Sequence, residues 1–169
     1  MEDFIQNSST VHTYIGGSNP TYAYDNSYKT SHSGSCGRAA SITIENEHEF
    51  PFSVTLSQIT IKMEAYAYVS TSEPYSHSAS ASYDVLVYDG SWTSIGSPAE
   101  WSDSRNNSGS VSNIVNTTID VTLGGITKIK AVASSSNSLG GGGGTGNGYV
   151  YIYEIKAFGL IPYSYGFII

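Results

Sequence analysis

Basic side chains are the scarcest chemical resource in this chain. Five lysines and two arginines stand against fourteen acidic residues, leaving a formal charge of −7. A nucleic-acid footprint needs clustered Lys and Arg; here they are scattered, so no nucleic-acid partner is expected. Cysteine occurs once, at Cys36, which excludes an internal disulfide and a thiolate metal cluster and leaves a structural thiol. No apolar run approaches the length of a membrane span, and no stretch sustains a helical period. The opening Met-Glu-Asp-Phe-Ile-Gln-Asn lacks a basic region and a long apolar core, so no secretory signal is expected. His12, His32, His48 and His77 show no metal-binding spacing, and no Gly-x-Ser-x-Gly elbow marks a nucleophile. No residue is assigned a catalytic role, and the chain is read as a non-enzyme.

What is abundant is Ser, Thr, Gly, Asn and Tyr, a composition suited to β-structure with a hydroxyl-rich surface. With 169 residues the chain is long enough for one domain with a real core. Its most regular stretch is Gly-Tyr-Val-Tyr-Ile-Tyr-Glu-Ile-Lys-Ala-Phe-Gly at residues 148–159, a strand between two glycines. Strict alternation puts Tyr149, Tyr151, Tyr153, Ile155 and Ala157 on one face. The other face carries Val150, Ile152, Lys156, Phe158 and Glu154, a carboxylate whose apolar company calls for a partner.

Earlier segments follow in order. Residues 1–10 are a polar arm or first edge, and residues 11–15 alternate as a short strand. Residues 21–37, rich in Tyr, Ser and Asn, read as a long loop. Ile42 and Ile44 mark a strand over residues 41–46, and Glu45, Glu47, His48 and Glu49 form a charged corner before Phe50-Pro51-Phe52. The three glutamates share a face only if the strand continues through that corner. Over residues 53–69 the apolar parity changes near Ser57-Gln58, which requires a β-bulge or a break. Residues 70–82 and 96–112 read as polar loops. Tyr83 to Trp92 spans a hairpin around Asp89-Gly90. Residues 119–123 and 126–133 read as two strands joined at Gly124-Gly125. Residues 134–148, with five consecutive glycines, read as an elongated, mobile hairpin tip. Strands recurring every ten or so residues indicate a sandwich or barrel.

The order of these motifs resembles a galactose-binding-like domain of the discoidin and carbohydrate-binding-module kind. Ala23-Tyr24-Asp25-Asn26-Ser27-Tyr28-Lys29-Thr30 is similar to that family's early Asp loop. Tyr83 to Trp92 is similar to its Asp-Gly-x-Trp hairpin, and Tyr153-Glu154-Ile155-Lys156-Ala157-Phe158-Gly159 to its closing signature. The resemblance implies an all-β, antiparallel jelly-roll sandwich of about eight strands over residues 19–159, with terminal strands adjacent and long loops. Residues 1–18 then form an N-terminal arm and residues 160–169 an apolar tail. Asn26 and Ser31 depart from the family pattern, and the His with paired Arg of fucose-binding members has no match, so no sugar specificity transfers.

The resemblance also implies a calcium site where the Asp loop meets the last strand, from Asp25, Asn26, Thr30 and Glu154. The alternative is that Glu154 caps loop amides or pairs with Lys29 while Asp25 makes an Asx-turn. A glycan face is expected in the long loops, from Tyr24, His32, Arg38, Trp101 and Arg105, with Tyr22 beside them; the alternative is that these residues cover the ends of the sandwich. The tail supplies Leu160, Ile161, Tyr163, Tyr165, Phe167, Ile168 and Ile169, which must be buried on their own sandwich or on a neighbouring copy. Taken together, these features point first to a structural subunit of a virus particle (capsid, decoration, tail or fibre), made in the cytoplasm. Its partners would be copies of itself or other virion proteins. A carbohydrate-binding module or receptor-recognition lectin is the alternative.

Overall fold

The computed structural model describes residues 2–6, 10–25, 27, 31–71, 77–95, 97–103, 108–139 and 144–160. Its strands are β1 (Glu2–Asp3), β2 (Val11–Ile15), β3 (His32–Cys36), β4 (Ser41–Ser70), β5 (His77–Tyr88), β6 (Trp92–Ser94), β7 (Ser97–Asp103), β8 (Ser108–Leu139) and β9 (Thr145–Leu160). Two short 3₁₀ turns, Phe4–Gln6 and Pro20–Tyr24, are the helical pieces among the described residues. No helix there is long and apolar enough to cross a membrane. The chain is an all-β, antiparallel sandwich.

Its frame is one two-stranded ribbon. β4 and β8 pair antiparallel over most of their lengths, from Ser41↔Ser136 to Ser70↔Ser108. The register shifts between Glu49 and Val54 and twice more before Gln58, and there the ribbon turns from one layer into the other. In the front layer, β2 pairs with residues 45–49 of β4, β5 pairs with residues 128–139 of β8, and β6 and β7 pair with β5. The rear layer adds β9 to residues 55–70 of β4, with β3 and β1 on the far edge of β9. The layers meet closely. Ser135 Oγ, in front, donates to the carbonyl of Tyr66, behind, at 2.6 Å. Ile44, Ile59, Ile61, Met63, Val85, Ile129, Val150 and Ile152 fill the space between them, each at most 1% exposed.

The parity change resolves as a bulge. Leu56 pairs with Gly159 and Gln58 with Phe158, so Ser57 is the extra residue. That insertion keeps Val54 and Leu56, then Ile59 and Ile61, all buried. The expected corner before Phe50 is instead an uninterrupted β4. Pro51 is tolerated because β8 pairs with none of residues 50–53, so no ladder bond needs its missing donor. Gly124-Gly125 is likewise not a hairpin turn. Leu123 and Ile126 face Leu56 and Val54 of the same partner strand, and Gly125 takes φ 77° as an inserted residue in β8.

Three expected loops contain strands. β3 lies in residues 21–37, β5 begins at His77, and β7 with the start of β8 occupies most of residues 96–112. β8 also extends to Leu139 and β9 starts at Thr145; residues 140–143 lie outside those described. Small residues carry these additions: Ala79, Ala81, Ala131, Ala133 and Ser135 alternate inward, each at most 2% exposed. The polar arm is anchored too. β1 pairs with Phe158 and Gly159, and the buried Phe4 ring lies 5.7 Å from Phe50 and 6.3 Å from Phe52.

Gly159 has no room for a side chain, since a Cβ there would stand 2.0 Å from the carbonyl oxygen of Thr55. Gly159→Ala is therefore expected to lose about 1–3 kcal/mol in urea unfolding. Gly37→Ala, with nothing within 4 Å of its Cβ, should leave stability unchanged. Equal midpoints for the two variants would contradict this placement of β9.

Candidate functional site

A single inserted residue in β9 organises the rear face. Lys62 pairs with Glu154 and Met63 with Ile152, leaving Tyr153 without an opposite number. Alternation therefore reverses. Val150 and Ile152 are buried before the bulge, Ile155 and Ala157 after it, and Tyr149, Tyr151 and Tyr153 stay partly exposed. This corrects the expected single face of three tyrosines with Ile155 and Ala157; a bulge moves the following side chains to the opposite parity.

The tyrosines form a row with polar ends. Tyr66 opposes Tyr149 in register, and their rings stack at 6.2 Å. Tyr151 and Tyr153 stack at 5.7 Å. Lys62 Nζ sits 4.7 Å from the centre of the Tyr153 ring, and the Tyr153 hydroxyl donates to Glu64 Oε2 at 3.3 Å. Burial first, then the Glu64 charge, pushes the Tyr153 phenol up to about 12, and the same two causes raise Tyr151. Both therefore keep their protons, and can donate them, at neutral pH.

Beside this row runs β3, whose Ser35 opposes Tyr149 and Ser33 opposes Tyr151. Gly34 between them lacks a side chain because Ile42 lies beneath; a Cβ would come within 2.8 Å of it. The low strand and the tall tyrosines make an open groove of about 430 Å³ lined by Ser18, Ser33, Gly34, Ser35, Tyr149 and Tyr151. Among the described residues the lining is aromatic faces, hydroxyls and backbone, with no charged group.

A second feature lies on the edge of β9 between its partners. β3 stops opposite Ile152 and β1 begins opposite Phe158. In that gap Asp3 Oδ1 accepts from the Ala157 amide at 3.4 Å and the Ile5 amide at 3.1 Å. Glu154 is 0% exposed, and neither carboxylate oxygen has a hydrogen-bond partner among the described residues. Burial drives its carboxyl from 4.5 up to about 7; Lys156 pulls it down, and the charges of Asp25 and Asp3 push it further up. Asp25 accepts from the Ser27 amide at 2.8 Å, an Asx-turn. Orphaned carboxylate oxygens near a second carboxylate have the donor chemistry of a hard-cation site. Yet no three His, Cys, Asp or Glu side chains among the described residues are spaced to hold a metal ion. Asn26, Thr30 and Lys29 lie outside those residues.

The loop residues expected to hold a glycan do not form one site. His32 is fully buried, with Nδ1 bonded to Asn46 Oδ1 and Nε2 2.9 Å from the carbonyl of Gly16, so it braces β3 and cannot meet a ligand. Tyr24 stacks on His12 at 4.4 Å and bonds the Tyr14 hydroxyl, tying the Pro20–Tyr24 turn to β2 at one edge of the front layer. Trp101 belongs to β7, beyond β5 from β8 and so towards the opposite edge. Arg38 sits in the exposed turn before β4, while Arg105 lies outside the described residues, as do Ile161, Tyr163, Tyr165, Phe167, Ile168 and Ile169. Leu160, the last described residue, is 67% exposed.

Two further clusters are structural. Because β4 continues, Glu45, Glu47 and Glu49 share a face and interleave with Lys128 and Lys130 at 2.9–3.4 Å, a ladder capped by Trp92 4.8 Å from Lys130 Nζ. His12 and His48 oppose each other across β2 and β4, with Nδ1 atoms 2.7 Å apart. Burial first, then His12, lowers His48 to about 3, and burial also lowers His12.

With these features placed, the chain can be set beside known proteins. No family model and no curated protein matches it. Among solved structures, a family 32 carbohydrate-binding module from Clostridium perfringens aligns with TM-score 0.42 at 13% identity, covering 94% of this chain and 100% of that one. The family 32 module of C. perfringens NanJ, solved with galactose, gives 0.41 at 16% identity over 92% and 96%. Infectious bursal disease virus, Gx strain, gives 0.30 at 16% identity over 86% of this chain and 32% of that one. At such scores and identities the likeness is one of outline and carries nothing about what this chain binds.

The pH response follows from the two buried groups. Glu154 has its folded pKa raised, so its contribution is fully present below about 4.5 and is lost as pH rises towards 7. The histidine pair has its folded pKa lowered, so its contribution is present above 6.5 and lost as pH falls below it. In chelator, Glu154→Gln should match the parent near pH 4.5 and exceed it at pH 8 by on the order of 3 kcal/mol. Parallel stability curves across that range would contradict a dry, unpaired Glu154.

Proposed function

We propose that this chain is a glycan-recognition module, the alternative in the sequence reading, and that its sugar site is the Tyr149–Tyr151 groove. The observation that carries the proposal is the groove's lining, two part-exposed phenol rings beside three serines with no charge among them. A pyranose offers an apolar C–H face and a rim of hydroxyls. The first suits the phenol faces, and the second suits Ser18, Ser33, Ser35 and the phenolic hydroxyls. The uncharged lining favours neutral sugars over acidic ones. Among the described residues no carboxylate lines the groove, so none of them supplies there the acid and base that glycoside cleavage requires. The reading is therefore of binding without turnover.

Calcium belongs to the same proposal, at the site from Asp25, Asn26, Thr30 and Glu154 that the family resemblance implies. When bound there it would neutralise the orphaned Glu154 charge and fasten the early Asp loop to β9. Its role would be to hold the sandwich edge and not to touch sugar.

A virion subunit, the first reading of the sequence, is retained as a second proposal on one observation. Leu160 ends β9 67% exposed and leads directly into the apolar residues 161–169.

On an array of neutral and acidic glycans, the chain should retain neutral sugars, and Tyr149→Ala and Tyr151→Ala should each weaken binding tenfold or more, about 1.4 kcal/mol. Trp92→Ala, on the front layer, should bind as the parent does. No signal on any glycan, or equal binding by all variants, would overturn the groove. Calcium should raise the melting temperature of the parent at pH 8 and leave Glu154→Gln unmoved; no shift in the parent would remove the ion.

A further inference from the structure

Ser18 reaches the groove on a short tether from β2. Its amide donates to the Ser33 carbonyl at 2.8 Å, and its carbonyl accepts from the Ser33 amide at 3.1 Å, an isolated bridge to β3. β2, three residues upstream, is five residues long and among the described residues pairs with β4 alone. No aliphatic side chain of β2 is buried: Val11 and Ile15 stand 60% and 55% exposed, and His12 and Tyr14 are its inward residues. Beyond its ladder with β4, β2 is therefore held by a polar, aromatic cluster. The Tyr24 ring stacks on His12 at 4.4 Å, its hydroxyl bonds that of Tyr14, and His12 Nδ1 lies 2.7 Å from His48 Nδ1.

Two imidazole nitrogens at that distance can share one proton, one ring donating and the other accepting. A second proton sets N–H against N–H and puts like charges side by side. One of those charges lies on His48, which is 0% exposed and whose Nε2 has no hydrogen-bond partner among the described residues. The titratable groups against the pair are Tyr24 from the turn and Tyr14 from β2, phenols that carry no charge in acid. His32 of β3 lies further along, between Asn46 and the Gly16 carbonyl. Glu47 and Glu49 flank His48 in sequence but turn to the outer face with Lys128 and Lys130. Among the described residues the charge that bears on His48 is that of His12. Released from β4, both rings meet water and take protons near 6.5, so acid favours the open segment.

We propose that the His12–His48 pair is an acid latch on the groove: a second proton on the pair frees residues 11–18 and the Pro20–Tyr24 turn from β4, and Ser18 leaves its place beside Tyr149 and Tyr151. The consequence for a ligand, release of a neutral sugar in mild acid, rests on the glycan reading. The opening itself does not.

Amide hydrogen exchange on the full chain in chelator, corrected for the intrinsic rate at each pH, reads the opening without any ligand. From pH 8 to pH 5, opening of residues 11–18 should rise about thirtyfold, the factor for one buried histidine taken roughly 1.5 pH units below 6.5. Ile129 and Ala131 of β8, both 0% exposed, should not follow, which separates this opening from unfolding of the whole sandwich. His12→Phe combined with His48→Leu keeps a ring against Tyr24, removes both titrating groups and should show no rise. Equal exchange of residues 11–18 at the two pH values in the parent overturns the latch, whether or not the double variant folds. A rise shared by Ile129 and Ala131, or one kept by the folded double variant, overturns it as well. On the glycan array, sugar held at pH 8 should be released at pH 5 by the parent and kept by the double variant. Sugar held equally at both pH values while residues 11–18 open overturns the part given to Ser18. Opening in acid with no sugar held at either pH supports the latch and overturns the groove reading alone.

Discussion

One extra residue, Tyr153, sets the chemistry of the rear face. Without it, β9 would keep a single alternation from Gly148 to Gly159, and either the tyrosines or Ile155 and Ala157 would lie on the wrong side. With it, Val150, Ile152, Ile155 and Ala157 all reach the core while Tyr149 and Tyr151 remain outside to wall the groove. Glu154, next to the insertion, is held in the gap between β3 and β1 and loses water without gaining a hydrogen bond among the described residues. The aromatic groove and the buried carboxylate are thus two results of one irregularity.

The ribbon of β4 and β8 makes that irregularity affordable. Because both strands pass from front to rear, the layers are joined by main-chain ladders as well as by side-chain packing. Buried titratable groups persist on such a frame although each opposes folding in one of its protonation states. Glu154 weakens the fold as pH rises from 4.5 towards 7, while His48 weakens it as pH falls below 6.5. Their slopes are opposite in sign and overlap in mildly acid solution. The Glu45, Glu47, Glu49 and Lys128, Lys130 ladder lies on partly exposed positions and contributes little to this balance.

Much of this architecture is written in the order of residues. The parity change at Ser57 marks a bulge, Asp89-Gly90 marks a hairpin, and β-branched alternation marks the long strands. The strands that stay hidden are built from Ser, Ala, Gly and Asn, whose local preferences point to loops. Ala79, Ala81 and Ser135 become strand residues through long-range pairing that buries them between the layers. Gly124-Gly125 misleads for a related reason: two glycines suit a bulge as well as a turn, and only pairing with β4 distinguishes them. Of the site, Glu154 stands out in sequence as a carboxylate among apolar residues. The groove does not, because nothing local signals that β3 exists or that Ser33 and Ser35 would lie beside Tyr151 and Tyr149. The same blindness to long-range pairing makes His32 look like a loop ligand when it is a buried brace.

The account rests on Glu154 being enclosed beside the Tyr153 insertion. The most direct test is the titration of its side-chain carboxyl by carbon-detected nuclear magnetic resonance on the intact chain in chelator. A buried, unpaired group should titrate near 7. A midpoint at or below 4.5 would mean that the carboxylate is solvated or paired, and would contradict its dry enclosure beside the insertion.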